Sequence, residues 1–182
     1  MADPEISAER NIPIGEEVVD KWNALPLNYE PSDLVDIPPD YKCDDCQDRQ
    51  MLLRSEARDS LLAMLRSARE DGVDISVLSA YRSAEYQAAI YQRAIEKEGD
   101  QQASSAAPGH SEHQLGTAVD FTSREVDNHL VESFSETKAH DWLSKNAHQY
   151  GYHMSYTREN HRDKGYIWEP WHFRYWGNHA PE

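Results

Sequence analysis

The chain has 182 residues, a length that fits one domain with a core large enough to be stable without several disulfides. Acidic residues outnumber basic ones by 33 to 18, and the resulting net charge of -15 argues against a nucleic-acid partner because phosphates would be repelled. No segment has the roughly 18 consecutive apolar residues of a membrane span, so we expect no stable membrane insertion. The acidic residues are spread along the chain, which indicates a solvated surface or a saline habitat.

Residues 1–48 are predicted to form a wrapping arm, and residues 49–182 the main domain. Four prolines, Pro26, Pro31, Pro38 and Pro39, interrupt any long periodic pattern in the arm. The first five residues lack the basic and apolar regions of a secretory signal, so either the protein stays inside the cell or a leader has been removed. We expect a monomer.

The two cysteines form a single Cys43-x-x-Cys46 pair. One pair is too few for a disulfide framework, and a zinc ribbon would need a second pair. A local disulfide is our first expectation and free thiols come next. A thioredoxin-type redox site is the least favoured, because no strand-to-helix pattern surrounds the pair.

Two helices and a strand are predicted after the cysteines. Apolar residues recur every three or four positions from about Gln50 to Asp71, which indicates an amphipathic helix, and Gly72 is expected to end it. Residues 75–79 have the pattern of a short buried strand. Ser83 is the expected N-cap of a helix over residues 84–97, which puts Arg82 at a strand-to-helix junction.

The second half of the chain is predicted to contain more strands. Residues 99–116 show no periodicity, and residues 117–121 alternate as in a strand. A helix over about residues 135–148 precedes two strands, within residues 151–156 and 166–175, that look like part of an antiparallel meander. This order of elements predicts an α+β fold.

Two segments supply residue types that bind metals. His113 and Asp120 lie seven positions apart, and Glu169 precedes His172 by three. Catalytic zinc sites commonly use three nitrogen or oxygen ligands and leave one position for water, so two histidines and one aspartate would meet that count. The remaining carboxylate, Glu169, could then take a proton from the attacking water in a metal-assisted hydrolysis.

Pro170 excludes a regular helix between Glu169 and His172, so the pair differs from the helical His-Glu-x-x-His arrangement. A regular strand would send residues three apart to opposite faces, so we expect a bulge or turn there. Spacing alone leaves open that these are ordinary histidines in a chain that contains nine.

Three ordered motifs resemble those of the VanY-like zinc D-alanyl-D-alanine carboxypeptidases, which are LAS-type metallopeptidases of peptidase family M15. The resemblance covers residues 22–177, including an entry segment in the arm at residues 23–29. The motifs are Ser79-Ala80-Tyr81-Arg82-Ser83, then Gly109-His110-Ser111-Glu112-His113-Gln114-Leu115-Gly116-Thr117-Ala118-Val119-Asp120, then Trp168-Glu169-Pro170-Trp171-His172-Phe173-Arg174-Tyr175.

This resemblance implies the hedgehog/D,D-peptidase fold, a small antiparallel sheet flanked by helices. It implies zinc on His113, Asp120 and His172, with Glu169 as general base. Arg82 would face the oxyanion that develops during catalysis, a role in which a fixed guanidinium is effective.

The family pattern also suggests substrate contacts. Gln87 and Ser111 are expected to contact the terminal residue of the substrate. Tyr156 and Trp171 are candidates for walls of the peptide site, although buried aromatics more often belong to the core.

The resemblance implies a carboxypeptidase that removes the terminal D-alanine of peptidoglycan stem peptides. Alternatives on the same scaffold are an L,D-carboxypeptidase and an endolysin-like L-alanyl-D-glutamate endopeptidase, which would share the hydrolytic residues. Two further hypotheses are an inactive zinc-containing module that binds the cell wall and a wall-anchored interaction protein. Such a substrate implies a location outside the cytoplasm, with a leader or anchor that is not in this chain.

Overall fold

The structure, a computed structural model, describes residues 11–179. The first ten residues of the predicted arm, including those searched for a secretory signal, lie outside the described residues. Within residues 11–179 no helix is both long and apolar enough to cross a membrane.

A four-stranded sheet forms the centre of the fold. Its strands are β3 (Ser76–Ser79), β4 (Ala118–Thr122), β5 (Tyr152–Met154) and β6 (His172–Tyr175). They lie in the order β3-β4-β6-β5, and each neighbouring pair is antiparallel. A separate antiparallel pair joins β1 (Leu34–Asp36) to β2 (Leu52–Arg54). The predicted antiparallel pairing near the end of the chain is confirmed by β5 and β6, and β6 also pairs with β4.

Residues 11–179 also form four α-helices and several short 3₁₀ helices. The α-helices are α1 (Ser55–Glu70), α2 (Ala84–Glu98), α3 (Lys138–Asn146) and α4 (His161–Lys164). The 3₁₀ helices are Pro39–Tyr41, Asp44–Cys46, Glu112–Leu115, Arg124–Val126, Glu132–Glu136 and Ala147–Tyr150. This mixture of helices and small antiparallel sheets confirms the predicted α+β class.

The ends of α1 and α2 show which local signals were decisive. The Ser83 side chain accepts a hydrogen bond from the Tyr86 amide at 3.1 Å, as expected of an N-cap. Helix α1 begins at Ser55 and not near Gln50, because Leu52–Arg54 pairs with β1. The predicted start of the helix is therefore wrong, because the residues just before Ser55 form strand β2.

Two later elements are shorter than predicted. Thr137 caps α3 by accepting a hydrogen bond from the His140 amide at 3.1 Å, so the predicted helix over residues 135–148 divides into α3 and its flanking 3₁₀ turns. The predicted strand over residues 166–175 is ordered as a strand only in β6. Pro170, which lacks a backbone N–H, lies in the turn before it.

The main hydrophobic core packs α1 against one face of the central sheet. Leu61, Met64 and Leu65 of α1 share this core with Val119 and Phe121 of β4. Cys43 and Cys46 also lie in the core and are joined by a disulfide, in agreement with our first expectation.

A smaller apolar cluster attaches the N-terminal segment, the described part of the predicted arm (residues 11–48), to the rest of the fold. Val19, Leu25 and Tyr29 pack on Leu115, which is fully buried. The Gln114 side chain reinforces this contact, since its Nε2 donates to the carbonyl oxygens of Pro26 and Tyr29 at 2.9 and 3.1 Å. The segment therefore contacts the loop that carries His113.

The core can be tested with a matched pair of leucines. Leu61→Ala removes a side chain with no exposure and should lower the free energy of unfolding by about 2–5 kcal/mol. Leu27 is 68% exposed, and Leu27→Ala should change that free energy by less than about 0.5 kcal/mol. Urea unfolding with a chelator present would measure both without a contribution from bound metal. Equal losses in the two variants would contradict this description of the core.

Candidate metal centre

The first histidine of the motif is presented by a short turn. Ser111 begins the 3₁₀ helix Glu112–Leu115, and its hydroxyl accepts a hydrogen bond from the His113 amide at 3.3 Å. Gly116 ends this helix with a φ of 70°, a conformation that glycine adopts without strain. The chain then enters β4, which contains Asp120.

The second histidine is placed by strand pairing. Asp120 of β4 is directly opposite His172 of β6, so the two side chains lie on the same face of the sheet. A turn at residues 170–171 connects Glu169 to β6, and the His172 amide donates to the Glu169 carbonyl at 3.2 Å. The predicted turn between Glu169 and His172 is confirmed, and it brings both side chains to the same site.

The three predicted ligands converge. His113, Asp120 and His172 each offer one ligand atom, and these atoms all lie within 4.8 Å of one another. Ligands at about 2.0–2.2 Å from one zinc ion lie at most about 4.4 Å apart, so a small side-chain adjustment brings the three atoms into one coordination sphere. All three residues are buried.

The chemistry of His113 fits a metal ligand. Its Nδ1 lies 2.6 Å from the Ala80 carbonyl, which fixes the proton there and leaves the lone pair on Nε2. Burial, followed by the charge of Arg82, lowers the pKa of His113 to about 4, so the imidazole is neutral. The buried Nε2 lies 3.2 Å from Asp120 Oδ2 without a hydrogen bond of acceptable geometry. Two electron-rich atoms that face each other in this way suit a cation between them.

His172 is oriented by carboxylates on both sides. Its Nδ1 lies 2.9 Å from Asp120 Oδ1, and its Nε2 lies 2.8 Å from Glu112 Oε2. Burial opposes the charged form, but these two contacts outweigh it and raise the pKa of His172 to about 10. Nδ1 would therefore release a proton on binding a metal, while Glu112 keeps the proton on Nε2.

Glu169 lies beside the ligand group without belonging to it. Its Oε2 is 3.9 Å from His172 Nδ1, and its side chain is 15% exposed. Burial raises the pKa of Glu169 to about 7. A carboxyl group with this pKa can both accept and return a proton near neutral pH.

Arg82 supplies positive charge on the other side of the site. Its Nη2 lies 3.8 Å from Asp120 Oδ2, and its amide donates to the His113 carbonyl at 3.2 Å. The guanidinium Nε is buried and has no hydrogen-bond partner within the described part of the chain. Arg82 therefore has donor capacity that a substrate oxygen could use.

A small cavity is lined by His113 and His172 of the ligand group and extends towards α2. Gln87 and Ser111 both line it, as does Tyr156, whose ring lies 5.1 Å from that of His172. Trp171, the other candidate for a wall of the peptide site, packs in the main core and is not among the residues that line this cavity, which agrees with the core alternative. The preceding Pro170 turn directs the two neighbours Glu169 and Trp171 to different environments.

Three further residues of the site were not identified from the sequence. Glu112 contacts a predicted ligand, and Tyr166 and Ser105 line the cavity. In the sequence, the only feature that could have pointed to Glu112 was its position as a charged residue inside the matched motif. Ser105 lies in the aperiodic segment over residues 99–116, where the sequence offers no signal.

The chain resembles a family of known proteins over most of its length. The sequence profile of the VanY family, described as D-alanyl-D-alanine carboxypeptidase, matches residues 50–178. The protein YodJ of Bacillus subtilis (strain 168), whose carboxypeptidase activity is itself a prediction, is 36% identical over 165 residues. That alignment covers 90% of this chain and 60% of YodJ, so the chain spans less than two thirds of this relative.

Solved structures show the same fold. The LD-carboxypeptidase LdcB matches with a TM-score of 0.79 and 37% identity, over 87% of this chain and 75% of LdcB. VanYB in complex with D-alanine-D-alanine matches with a TM-score of 0.71 and 25% identity, over 90% of this chain and 87% of VanYB. A VanY mutant from a VanB-type resistance cassette, solved with Zn(II), has the same TM-score and identity, over 90% of this chain and 88% of that protein. The chain therefore belongs to the VanY family, whose sequence profile is described as D-alanyl-D-alanine carboxypeptidase.

Proposed function

We propose that this protein is a D,D-carboxypeptidase that removes the terminal D-alanine of peptidoglycan stem peptides, with zinc held by His113, Asp120 and His172. The observation that carries the proposal is the convergence of these three ligand atoms within 4.8 Å beside the carboxyl group of Glu169. A structural zinc site or an inactive binding module would have no use for a buried carboxyl group whose pKa is about 7.

Zinc held by His113, Asp120 and His172 would supply Lewis acidity, which would polarise the scissile carbonyl and make the attacking water easier to deprotonate. Glu169 takes the proton from that water and delivers it to the leaving amine of D-alanine. The Arg82 guanidinium donates to the oxygen on which negative charge develops, a role supported by its Nε, which has no hydrogen-bond partner among the described residues.

The cavity beyond the ligands supports cleavage at the end of a peptide. Gln87 donates through Nε2 to Ser105 Oγ and the Ala106 carbonyl at 3.1 and 2.7 Å, and all three residues line the cavity. The Gln87 Oε1 is buried without a partner among the described residues, so it can accept a hydrogen bond from substrate. The Ser111 hydroxyl can donate to a terminal carboxylate. A group that can bind a terminal carboxylate suits a carboxypeptidase better than an endopeptidase, whose substrate continues on both sides of the cut.

An L,D-carboxypeptidase is the second candidate, favoured by one observation. LdcB has a higher TM-score and a higher identity to this chain than VanYB has. Both activities release a terminal D-alanine and would use the same hydrolytic residues, so they differ in how the preceding residue is bound. A peptidoglycan substrate implies action in the cell envelope or outside the cell, and we propose that location.

The ligand assignment predicts the fate of the metal. His172→Ala removes one of three ligands and should leave less than one zinc ion per chain after dialysis against a weak chelator. His148→Ala, at an exposed position, should retain zinc as the parent does. Elemental analysis measures both variants, and full zinc retention by His172→Ala would contradict the assignment.

The role of Glu169 predicts a loss of turnover without a loss of metal. Glu169→Gln keeps the shape of the side chain but cannot accept the proton, so kcat should fall by about 10²–10⁴-fold or more. Zinc content should be unchanged, and Glu159→Gln, at an exposed position, should keep parental activity. A loss of zinc from Glu169→Gln would mean that Glu169 is a ligand and that the roles are misassigned.

The cleavage specificity is tested with two synthetic stem peptides and mass spectrometry. Zinc-dependent loss of one D-alanine from the pentapeptide, with little from the tetrapeptide, is the result that we expect. Loss from the tetrapeptide alone would assign an L,D-carboxypeptidase. Cleavage of neither peptide by zinc-loaded protein would contradict both carboxypeptidase assignments.

A further inference from the structure

A continuous line of buried charged groups runs from the N-terminal segment to His172. Arg174 Nη2 lies 3.0 Å from Glu17 Oε2, and Arg174 Nη1 lies 3.3 Å from Glu112 Oε1. The other oxygen of Glu112 lies 2.8 Å from His172 Nε2. Glu17, Arg174, Glu112 and His172 are all 5% exposed or less.

We infer that Glu17 is a positioning residue for the metal centre, acting through Arg174 and Glu112 on His172. This inference rests on the proposed assignment of His172 as a zinc ligand. It gives the N-terminal segment a part in holding the metal, although none of the described residues of that segment lines the cavity beside His113 and His172.

The position of Arg174 explains how Glu17 could act at this distance. A buried guanidinium needs carboxylate partners, and Arg174 divides its donors between Glu17 and Glu112. Without the charge of Glu17, the whole attraction of Arg174 would fall on Glu112. Glu112 would then be drawn away from His172 and from the Ser155 hydroxyl, which donates to the same Glu112 oxygen at 2.5 Å. Outer partners of this kind fix the ring orientation of a ligand histidine and increase its basicity.

The N-terminal segment also has a contact that only anchors it. Asp33 pairs with Arg54 at 3.1 Å, and its side chain is 30% exposed. Glu17 is 3.6 Å from Arg54 too, but its side chain has no exposure and it alone of the two carboxylates reaches Arg174. Asp33 is therefore a matched control, since Asp33→Asn weakens the pairing with the same Arg54 and the anchoring of the segment but removes none of the groups that connect Glu17 to His172.

The experiment measures the zinc dissociation constant of the full chain by competition with a chromophoric chelator. Glu17→Gln should raise this constant by about 3- to 10-fold, less than the roughly 10–100-fold expected from removing the direct partner in Glu112→Gln. Asp33→Asn should keep the parental constant. Urea unfolding of the metal-free proteins shows whether the two N-terminal variants are equally destabilised, so a change in affinity can be separated from a change in stability.

Two further variants test the route. In a Glu112→Gln background, Glu17→Gln should have no additional effect on zinc affinity, because its action passes through Glu112. Arg174→Lys keeps a cation that cannot bridge two carboxylates, so it should also weaken zinc binding and serves if Glu17→Gln does not fold.

The outcomes separate this inference from the proposed function. If His172→Ala binds zinc as tightly as the parent, the ligand assignment fails. If His172→Ala loses zinc while Glu17→Gln keeps the parental constant, the ligand assignment stands and the role of Glu17 is overturned. Equal zinc weakening in Glu17→Gln and Asp33→Asn would reduce Glu17 to an anchor and also overturn the inference.

Discussion

Asp120 and His172 face each other across the antiparallel pairing of β4 with β6, and the metal centre depends on this register. Residues on alternate sides of the same two strands have opposite roles, because successive side chains of a strand point to opposite faces. Val119 and Phe173 enter the hydrophobic core, whereas Asp120 and His172 form the site. A shift of one residue would exchange these sets, so the packing of the core and the geometry of the site stabilise the same register.

The charges around this pair are arranged so that each has a partner. Burial would raise the pKa of Asp120, but the hydrogen bond and the charge of the His172 imidazole hold it well below the usual range. His172 lies between Asp120 and Glu112, and Glu112 in turn meets Arg174. Buried charges are costly unless they are paired, so the arrangement constrains side-chain positions tightly. Such constraint is what a metal-dependent hydrolase requires, since ligands and base must be held in place before the substrate arrives.

Local signals in the sequence were sufficient for the elements that carry most of the site. Ser83 as N-cap, Gly72 at the end of α1 and Pro170 as the residue that disfavours a helix between Glu169 and His172 each act through neighbouring backbone, so their effects could be predicted. The start of α1 could not, because Leu52–Arg54 forms a strand by pairing with a segment 16 or more residues away. Long-range pairing overrides local propensity in this way.

The same distinction applies to the site. His113, Asp120, Glu169 and His172 were identified because the motif matched a family, and the structure brings them together. Glu112 lies inside the matched motif and Glu17 outside it, but the sequence assigned neither a role, since their importance comes from contacts with residues 60 and 157 positions away. The sequence left two environments open for Trp171, because an aromatic beside a ligand can enter either the cavity or the core, and only tertiary packing decides between them.

The central claim is that two histidines and one aspartate of this chain bind zinc. X-ray absorption spectroscopy at the zinc edge of the loaded protein tests it directly, because imidazole, oxygen and sulfur ligands give distinct scattering. We expect two imidazole ligands, and oxygen atoms as the remaining ligands. The zinc that His172→Ala still binds should have one imidazole ligand fewer. Sulfur in the first shell, or an unchanged imidazole count in His172→Ala, would contradict it.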